Sequence, residues 1–227
     1  MLYSTFVSAA VLALLQVPIV GAIPTIHVAD KSALRSSSPN GPKPVAGYGI
    51  EDITWEISTG PGTAVNITGT VQQVMQYVLE NNITLNKSVD ASSPSMRPEA
   101  RQIDLREVQC LNSIDDAKVE AKVPYIKIGI KYLRGVPGKP ANGPGPGNCG
   151  RVSCWGESAI YWCNDNAETK ELESYSSIAD GAQAVLDGCP SVFDVELGFF
   201  WTMGRAVMND GWSVLVREPY DGSCPGP

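Results

Sequence analysis

Few residues in this 227-residue chain have the types and spacing that catalysis requires. The only histidine is His27, so we expect no Ser-His-Asp or Cys-His arrangement, because such a nucleophile needs a base within reach. Two carboxylates could act together as the acid and the nucleophile or base of a glycosidase. The candidates for such a pair are Asp165, Glu168, Asp180 and Asp187. Acidic residues at this density usually form a solvated surface, and we therefore predict no catalytic residue.

A second group of polar residues lies in and beside the loop GVPGKPANGPGPG at 135–147. Proline lacks a backbone donor and glycine costs conformational entropy, so this stretch predicts a stiff loop. Loops on rigid scaffolds often carry binding residues, and the cations here stand on a chain of net charge −7. The alternative is that these cations solubilise the loop or pair with neighbouring carboxylates. The predicted binding residues are Lys139, Asn142, Asn148 and Arg151.

The cysteines indicate an oxidising compartment. All six lie between Cys110 and Cys224, and an even number within one part of a chain is typical of disulfides in a secreted protein. A zinc site is disfavoured because no two cysteines have C-x2-C spacing and histidine ligands are lacking. Phosphate-loop and EF-hand motifs are also absent from the sequence, so we predict neither a cofactor nor a metal.

The N-terminal residues support the same compartment. Phe6–Val20 is almost entirely apolar and is followed by small residues, which is typical of a signal peptide and its cleavage site. The apolar stretch is too short to favour a membrane anchor. We therefore predict a signal peptide over 1–22 and an extracellular protein. Sequons for N-glycosylation begin at Asn66, Asn82 and Asn86, as is usual in proteins secreted by eukaryotes.

The charge of the chain limits its partners. A net charge of −7 disfavours nucleic acid and anionic membrane surfaces, because both carry the same sign of charge. We expect no nucleic-acid binding and no membrane insertion. We expect a monomer whose partner is an unknown protein or glycan on a target cell.

The pattern along the chain divides it into segments. Residues 23–46 are rich in Ser, Pro and Gly and predict a disordered arm. Residues 47–86 combine an alternating strand with a helix that has one apolar stripe, which predicts a small β-β-α unit. We expect this unit to pack on the C-terminal domain, with a pro-region as the alternative. Residues 87–107 predict a linker, and 108–227 a cysteine-rich domain.

Two helices and two pairs of strands alternate within 108–227. That order predicts an α+β fold in which both helices cover one face of a small antiparallel sheet. The predicted elements are a helix from Pro124 to Leu133, strands Arg151–Trp155 and Ser158–Asn164, a helix that is capped by Ser176 or Ser177 and stopped by Pro190, and strands Val195–Trp201 and Gly211–Glu218.

Several stretches of this domain resemble the killer-protein-4-like family of secreted fungal proteins, which are related to the smut-virus killer toxin. The likeness lies in the spacing of Cys154 and Cys163, in the helix SIADGAQAVLDGC that ends at Cys189, and in GWSVLVREPYDGSC that ends at Cys224. The tract GIKYLRGVPGKPANGPGPGNCGRVSC also looks like a stretch found in many secreted fungal proteins. The resemblance covers about Cys110 to Cys224, half of the chain.

This resemblance implies a disulfide-stapled α/β sandwich, with an antiparallel sheet and two antiparallel helices on one face. It also implies which cysteines pair, although other connectivities are open on the sequence alone. The implied pairs are Cys110–Cys189 and Cys163–Cys224, which leave Cys149 to pair with Cys154.

The family's toxin inhibits calcium channels, and one of its exposed lysines contributes. No motif places Lys139 at that lysine, and this chain is acidic with fewer cysteines, so we do not assign Lys139 the same role. We predict a non-enzymatic, toxin-like or effector-like secreted fungal protein. It would bind a target on another cell, such as a channel or another cell-surface component, through a rigid disulfide-held surface. The alternatives are a secreted carbohydrate-active hydrolase and a structural cell-wall protein.

Overall fold

The computed structural model describes residues 48–60, 62–85, 103–110 and 119–224. The predicted signal peptide, the predicted disordered arm, Asn86 and most of the predicted linker lie outside these residues.

The described residues form three helices and thirteen short strands. The helices are α1 (Val71–Glu80), α2 (Val123–Leu133) and α3 (Tyr175–Gly188). The strands are β1 (Gly49–Asp52), β2 (Thr54–Gly60), β3 (Thr63–Thr68), β4 (Leu105–Cys110), β5 (Ala121–Lys122), β6 (Ala141–Asn142), β7 (Asn148–Trp155), β8 (Ser158–Asn164), β9 (Lys170–Glu171), β10 (Val192–Asp194), β11 (Phe199–Thr202), β12 (Gly204–Met208) and β13 (Trp212–Arg217). The α+β class predicted from the sequence is confirmed.

Six of these strands form one mixed sheet in the order β1-β7-β8-β13-β12-β4. Adjacent strands within this sheet are antiparallel, except that the edge strand β1 runs parallel to β7. The smaller sheets are β10-β11-β5, β2-β3 and β6-β9. β4 begins at Leu105, so the prediction of a linker through Glu107 is wrong for its last three residues. The sequence also did not predict the strand β12.

The central strands are covered on both faces. Ile160 and Trp162 of β8 belong to the main core together with residues of all three helices, whereas Tyr161 belongs to a second cluster that includes Leu215 of β13. Successive side chains of a strand point to opposite faces, so these two clusters lie on opposite sides of the sheet. Burial on both faces explains why the sequence of β8 reads as an apolar run without polar alternation.

Two helices pack closely against that core face. A Cβ atom at Gly181 of α3 would lie 2.6 Å from the Cγ2 atom of Val214, and one at Gly129 of α2 would collide with Ser153. Side chains at these positions would push the helices away from the sheet. None of the helices in the described ranges is long and apolar enough to cross a membrane.

The segment predicted as a β-β-α unit shares the main core. Trp55 of β2 stacks on Tyr175 of α3 with 4.3 Å between ring centroids, and its indole N–H donates to the Gly69 carbonyl at 2.8 Å. Gln72 of α1 donates to the Ser153 hydroxyl at 2.8 Å. The backbone N–H of Cys154 donates to the Gln72 side-chain oxygen at 3.1 Å. These buried bonds attach α1 to β7.

Three disulfides connect these elements, and two of the three predicted pairings are wrong. The observed pairs are Cys110–Cys189, as predicted, and Cys149–Cys163 and Cys154–Cys224 in place of the other two. Cys149 lies directly opposite Cys163 in the β7–β8 register, with 3.9 Å between their Cα atoms. Cys149 and Cys154 belong to one extended strand, where five residues span about 16 Å, far beyond disulfide reach.

Candidate functional site

The most unusual surface of the described residues is a hairpin made of β10, a four-residue turn and β11. We call its protruding part, residues 191–200, the apolar hairpin, and Trp201 and Thr202 of β11 belong to its base. The sequence predicted one continuous strand over Val195–Trp201, and this is wrong at 195–198, which form the turn. The Asp194 carboxylate accepts the backbone N–H groups of Glu196 and Leu197 at 2.9 and 3.0 Å. Gly198 then takes a φ of 71°, which glycine adopts without strain.

The apolar hairpin exposes large apolar side chains to solvent. Val195 is 83% exposed and Leu197 57% exposed. Phe193 and Phe200 are paired across the two strands with ring centroids 4.9 Å apart, yet each stays about half exposed. Single exposed apolar residues are common on soluble proteins, whereas a contiguous group of them marks an interaction site.

The base of the apolar hairpin is held firmly. Trp201 of β11 pairs with Lys122 of β5. The Lys122 ammonium lies 5.2 Å from the Trp201 ring centroid and bonds the Glu157 carboxylate at 2.8 Å. The Thr202 hydroxyl donates to the Pro190 carbonyl at 3.2 Å. The exposed side chains are therefore displayed on an ordered scaffold, which lowers the entropy cost of binding.

A cleft of about 790 Å³ lies beside the apolar hairpin. Its described lining combines apolar residues of the hairpin with five acidic side chains and the lysine of β5. The acidic residues are Glu120, Glu157, Asp194, Glu196 and Glu218. The Lys122 ammonium holds the pKa of the Glu157 carboxyl below its ordinary value. An apolar surface with this excess of negative charge suits a partner that carries apolar and cationic groups.

The two asparagines predicted as binding residues bond to the protein's own backbone. Asn142 is only 3% exposed, and its side-chain amide donates to the Trp162 carbonyl at 3.0 Å. The Asn142 carbonyl in turn accepts the Asn164 amide at 3.1 Å. The Asn148 amide donates to the Pro144 carbonyl at 3.1 Å. These asparagines fix the stiff loop against the sheet.

The two predicted cations pair with carboxylates. Lys139 is exposed and lies 3.3 Å from Glu173 and 4.0 Å from Glu171. Arg151 of β7 is largely buried and donates from one nitrogen to both carboxylate oxygens of Asp221, at 2.8 and 3.1 Å. Of the four predicted binding residues, Lys139 is the one whose charged group reaches solvent, beside a different groove from the apolar hairpin.

Three of the four acidic residues considered for a hydrolase each bond a different side chain. Asp165 pairs with Arg205, Asp180 pairs with Arg134, and the Asp187 carboxylate accepts a hydrogen bond from Gln183. Within the described ranges, no group of three or more potential metal ligands lies together.

Of the predicted glycosylation residues, Asn66 is exposed on β3 and Asn82 is exposed just after α1. Both amides are therefore accessible for modification in the folded protein.

A scan against protein-family models matched no family, and searches of curated proteins and of solved structures returned no similar chain. The likeness to killer-protein-4-like proteins thus stays a hypothesis from the sequence.

Sequence reasoning missed the apolar hairpin. Phe193, Val195 and Leu197 alternate with acidic residues, which is the pattern of a strand with one buried face. The spacing of Asp194 and Gly198 was the available signal for a turn, because both residue types favour turn conformations.

Proposed function

We propose that this protein is a non-catalytic, secreted module of the fungal toxin or effector type, which binds a protein on another cell through the apolar hairpin. The observation that carries the proposal is the contiguous exposure of large apolar side chains on an ordered hairpin. They are Val192, Phe193, Val195, Leu197 and Phe200. A secreted location is supported by the three disulfides, which are typical of extracellular proteins.

The partner that fits is a protein surface with apolar side chains flanked by lysine or arginine. Burying a valine or leucine contributes roughly 1.5–3 kcal/mol, and cations on the partner would face Glu120, Glu196 and their neighbours in the cleft. An anionic membrane surface fits less well, because Asp194 and Glu196 belong to the apolar hairpin itself and would be repelled by its headgroups.

The disulfides support this role by fixing the scaffold. Cys189 ends α3 immediately before the apolar hairpin and is bonded to Cys110 of β4 across 79 residues. Closing a loop of that length removes unfolded-state entropy worth about 4 kcal/mol. We also propose that the fold is an α/β sandwich of the killer-toxin type, since α2 and α3 both contribute to the core on one face of the large sheet.

The test uses the full chain, secreted, oxidised and fluorescently labelled, added to fungal and plant cells. Wild-type protein should bind saturably, and treating the cells with protease should abolish binding. The double variant Val195→Ser/Leu197→Ser should bind about 100-fold more weakly, because two apolar contacts are lost. Leu79→Ser is the control, since Leu79 is 72% exposed but lies on α1.

Three outcomes would overturn the proposal. Equal binding by wild type and by the double variant would show that the apolar hairpin is not the contact surface. Equal binding to protein-free anionic vesicles would assign the surface to a membrane. The absence of saturable binding to any cell would leave the exposed patch without a cellular partner.

A further inference from the structure

A polar groove lies on the molecule apart from the apolar hairpin. Its volume is about 810 Å³, within the range of about 300–1,000 Å³ that ligand sites usually occupy. The hairpin of β2 and β3 forms one wall, and residues around Lys139 and Glu171 form the other. None of the residues that line it belongs to 191–200, so it is a separate site.

The lining of this groove is rich in hydrogen-bonding groups. Thr54, Glu56 and Thr63 present hydroxyl and carboxylate groups from the hairpin, and Lys139 and Glu171 present charged groups from the opposite wall. Such side chains include both donors and acceptors. A ligand with many hydroxyl groups, such as a carbohydrate, matches this lining better than an apolar ligand does.

An aromatic ring lies at the base of the groove. Tyr175 lines it and is held in place by its stack with Trp55 at 4.3 Å between ring centroids. Burial, and secondarily the Glu56 carboxylate, raise the pKa of the Tyr175 hydroxyl, so that hydroxyl stays protonated at neutral pH.

Asn66 also lines this groove. It lies directly opposite Glu56 in the β2–β3 register, its side chain is exposed, and it begins the sequon Asn66-Ile67-Thr68. We propose that Asn66 carries an N-linked glycan whose first sugars lie in the polar groove and are bonded by its walls. The groove would then be a docking site for the protein's own carbohydrate.

The chemistry of attachment is ordinary for a secreted protein. One N–H bond of the Asn66 amide is replaced by a bond to the anomeric carbon of an oligosaccharide carried on a lipid diphosphate. The lipid diphosphate leaves together with the displaced proton. The third residue of the sequon is Thr68, which is exposed on the same strand and whose hydroxyl lies 3.1 Å from the Thr54 hydroxyl.

Asn82 provides an internal control. It begins a second sequon, is exposed just after α1, and is not among the residues that line the polar groove. A glycan at Asn82 would therefore extend into solvent, and one at Asn66 would be held.

The experiment expresses the full chain in a eukaryotic secretory host and maps glycans by mass spectrometry of its peptides. The native protein is then treated with a peptide N-glycosidase, and release is followed at both sites. We expect the Asn66 glycan to be released about tenfold more slowly than the Asn82 glycan, because its sugars are hydrogen-bonded in the groove. After reduction and denaturation the two rates should be equal.

A pair of variants connects the protection to the groove. Glu56→Ala/Lys139→Ala should bring release at Asn66 close to the rate at Asn82. Glu51→Ala/Lys131→Ala is the matched control, because it removes an exposed glutamate and an exposed lysine outside the groove, and it should preserve the protection. An unmodified Asn66, equal native release rates, or protection unchanged by the groove variant would each overturn the proposal. None of these outcomes depends on the cell-binding role of the apolar hairpin.

Discussion

Two hairpins of this molecule have similar apolar content and opposite surroundings. In the hairpin of β7 and β8, Trp162 and Tyr161 are both fully buried, each against a different face of the sheet. In the apolar hairpin of β10 and β11, Phe193 and Phe200 lie across from each other but remain exposed. Apolar sequence alone therefore does not determine which role a hairpin has. Cover by other elements makes the first a core, and exposure within the part of the chain that the structure describes makes the second a candidate interface.

We call the hairpin of β7 and β8 the covered hairpin. The largest expected effect comes from removing one of its large buried side chains. Trp162→Ala should lower the free energy of unfolding by about 3–5 kcal/mol, because it leaves a cavity in the core. Trp155 belongs to the same hairpin but is 38% exposed, whereas Trp162 is 0% exposed, so Trp155→Ala is the matched control. Urea denaturation of both variants measures the difference, and equal losses would contradict the assignment of Trp162 to the core.

The disulfides of the covered hairpin should rank by the length of chain that they close. Cys154–Cys224 spans 70 residues and Cys149–Cys163 spans 14. Replacing both cysteines of a pair by alanine should therefore cost about 4 kcal/mol for the longer span and about 3 kcal/mol for the shorter one, on the loop-entropy model. Denaturant unfolding of the two double variants measures this order.

The pairing itself is testable without mutation. Cleavage after Arg151 separates Cys149 from Cys154, and cleavage after Glu157 separates Cys154 from Cys163, so a digest at both positions without reduction reveals the partner of each. Mass spectrometry should find Cys149 joined to Cys163, and Cys154 joined to Cys224. A peptide joining Cys163 to Cys224 would restore the connectivity implied by the family resemblance.

A smaller loss is expected where α1 is attached to the covered hairpin. Gln72 is buried and bonds both the Ser153 hydroxyl and the Cys154 backbone. Gln72→Ala should cost about 1–3 kcal/mol, because these buried groups lose their partner. Gln76 on the same helix donates a hydrogen bond to the Glu80 carboxylate at the protein surface. Gln76→Ala should therefore change the free energy of unfolding by less than about 0.5 kcal/mol. Equal losses of stability in the two variants would show that the buried hydrogen bonds of Gln72 do not attach α1 to the sheet.

Much of the fold was predictable because its signals are local. The strand Ser158–Asn164 has the predicted ends, since its apolar run ends at polar residues. The helix α1 starts after Thr70, whose backbone N–H donates to the Gln73 side chain at 2.9 Å, as a capping position requires. The cap of α3 is Ser174, two residues before the earlier of its two predicted caps.

The failures arose where distant parts of the chain decide the structure. Cys224 reaches Cys154 only because the chain turns back after β13. The spacing of the cysteines along the sequence does not predict that turn. The sequence predicts that Asn142 and Asn148 bind a ligand. Their side-chain amides instead donate hydrogen bonds to the Trp162 carbonyl of β8 and to the Pro144 carbonyl of the loop. The sequence predicts a strand over Val195–Trp201 but not the exposure of its side chains, because exposure depends on which distant elements pack against them.

The smallest effect on stability is expected at the apolar hairpin itself, and it is the most informative about function. Val195→Ser/Leu197→Ser should change the free energy of unfolding by less than about 0.5 kcal/mol, because both side chains are already exposed to water. The same variant should lose most of the cell binding, so stability and binding separate here, whereas Trp162→Ala changes stability first. A loss of 2 kcal/mol or more in this variant would mean that the protein's own chain covers the hairpin in solution, and an interface could not then be inferred from its exposure.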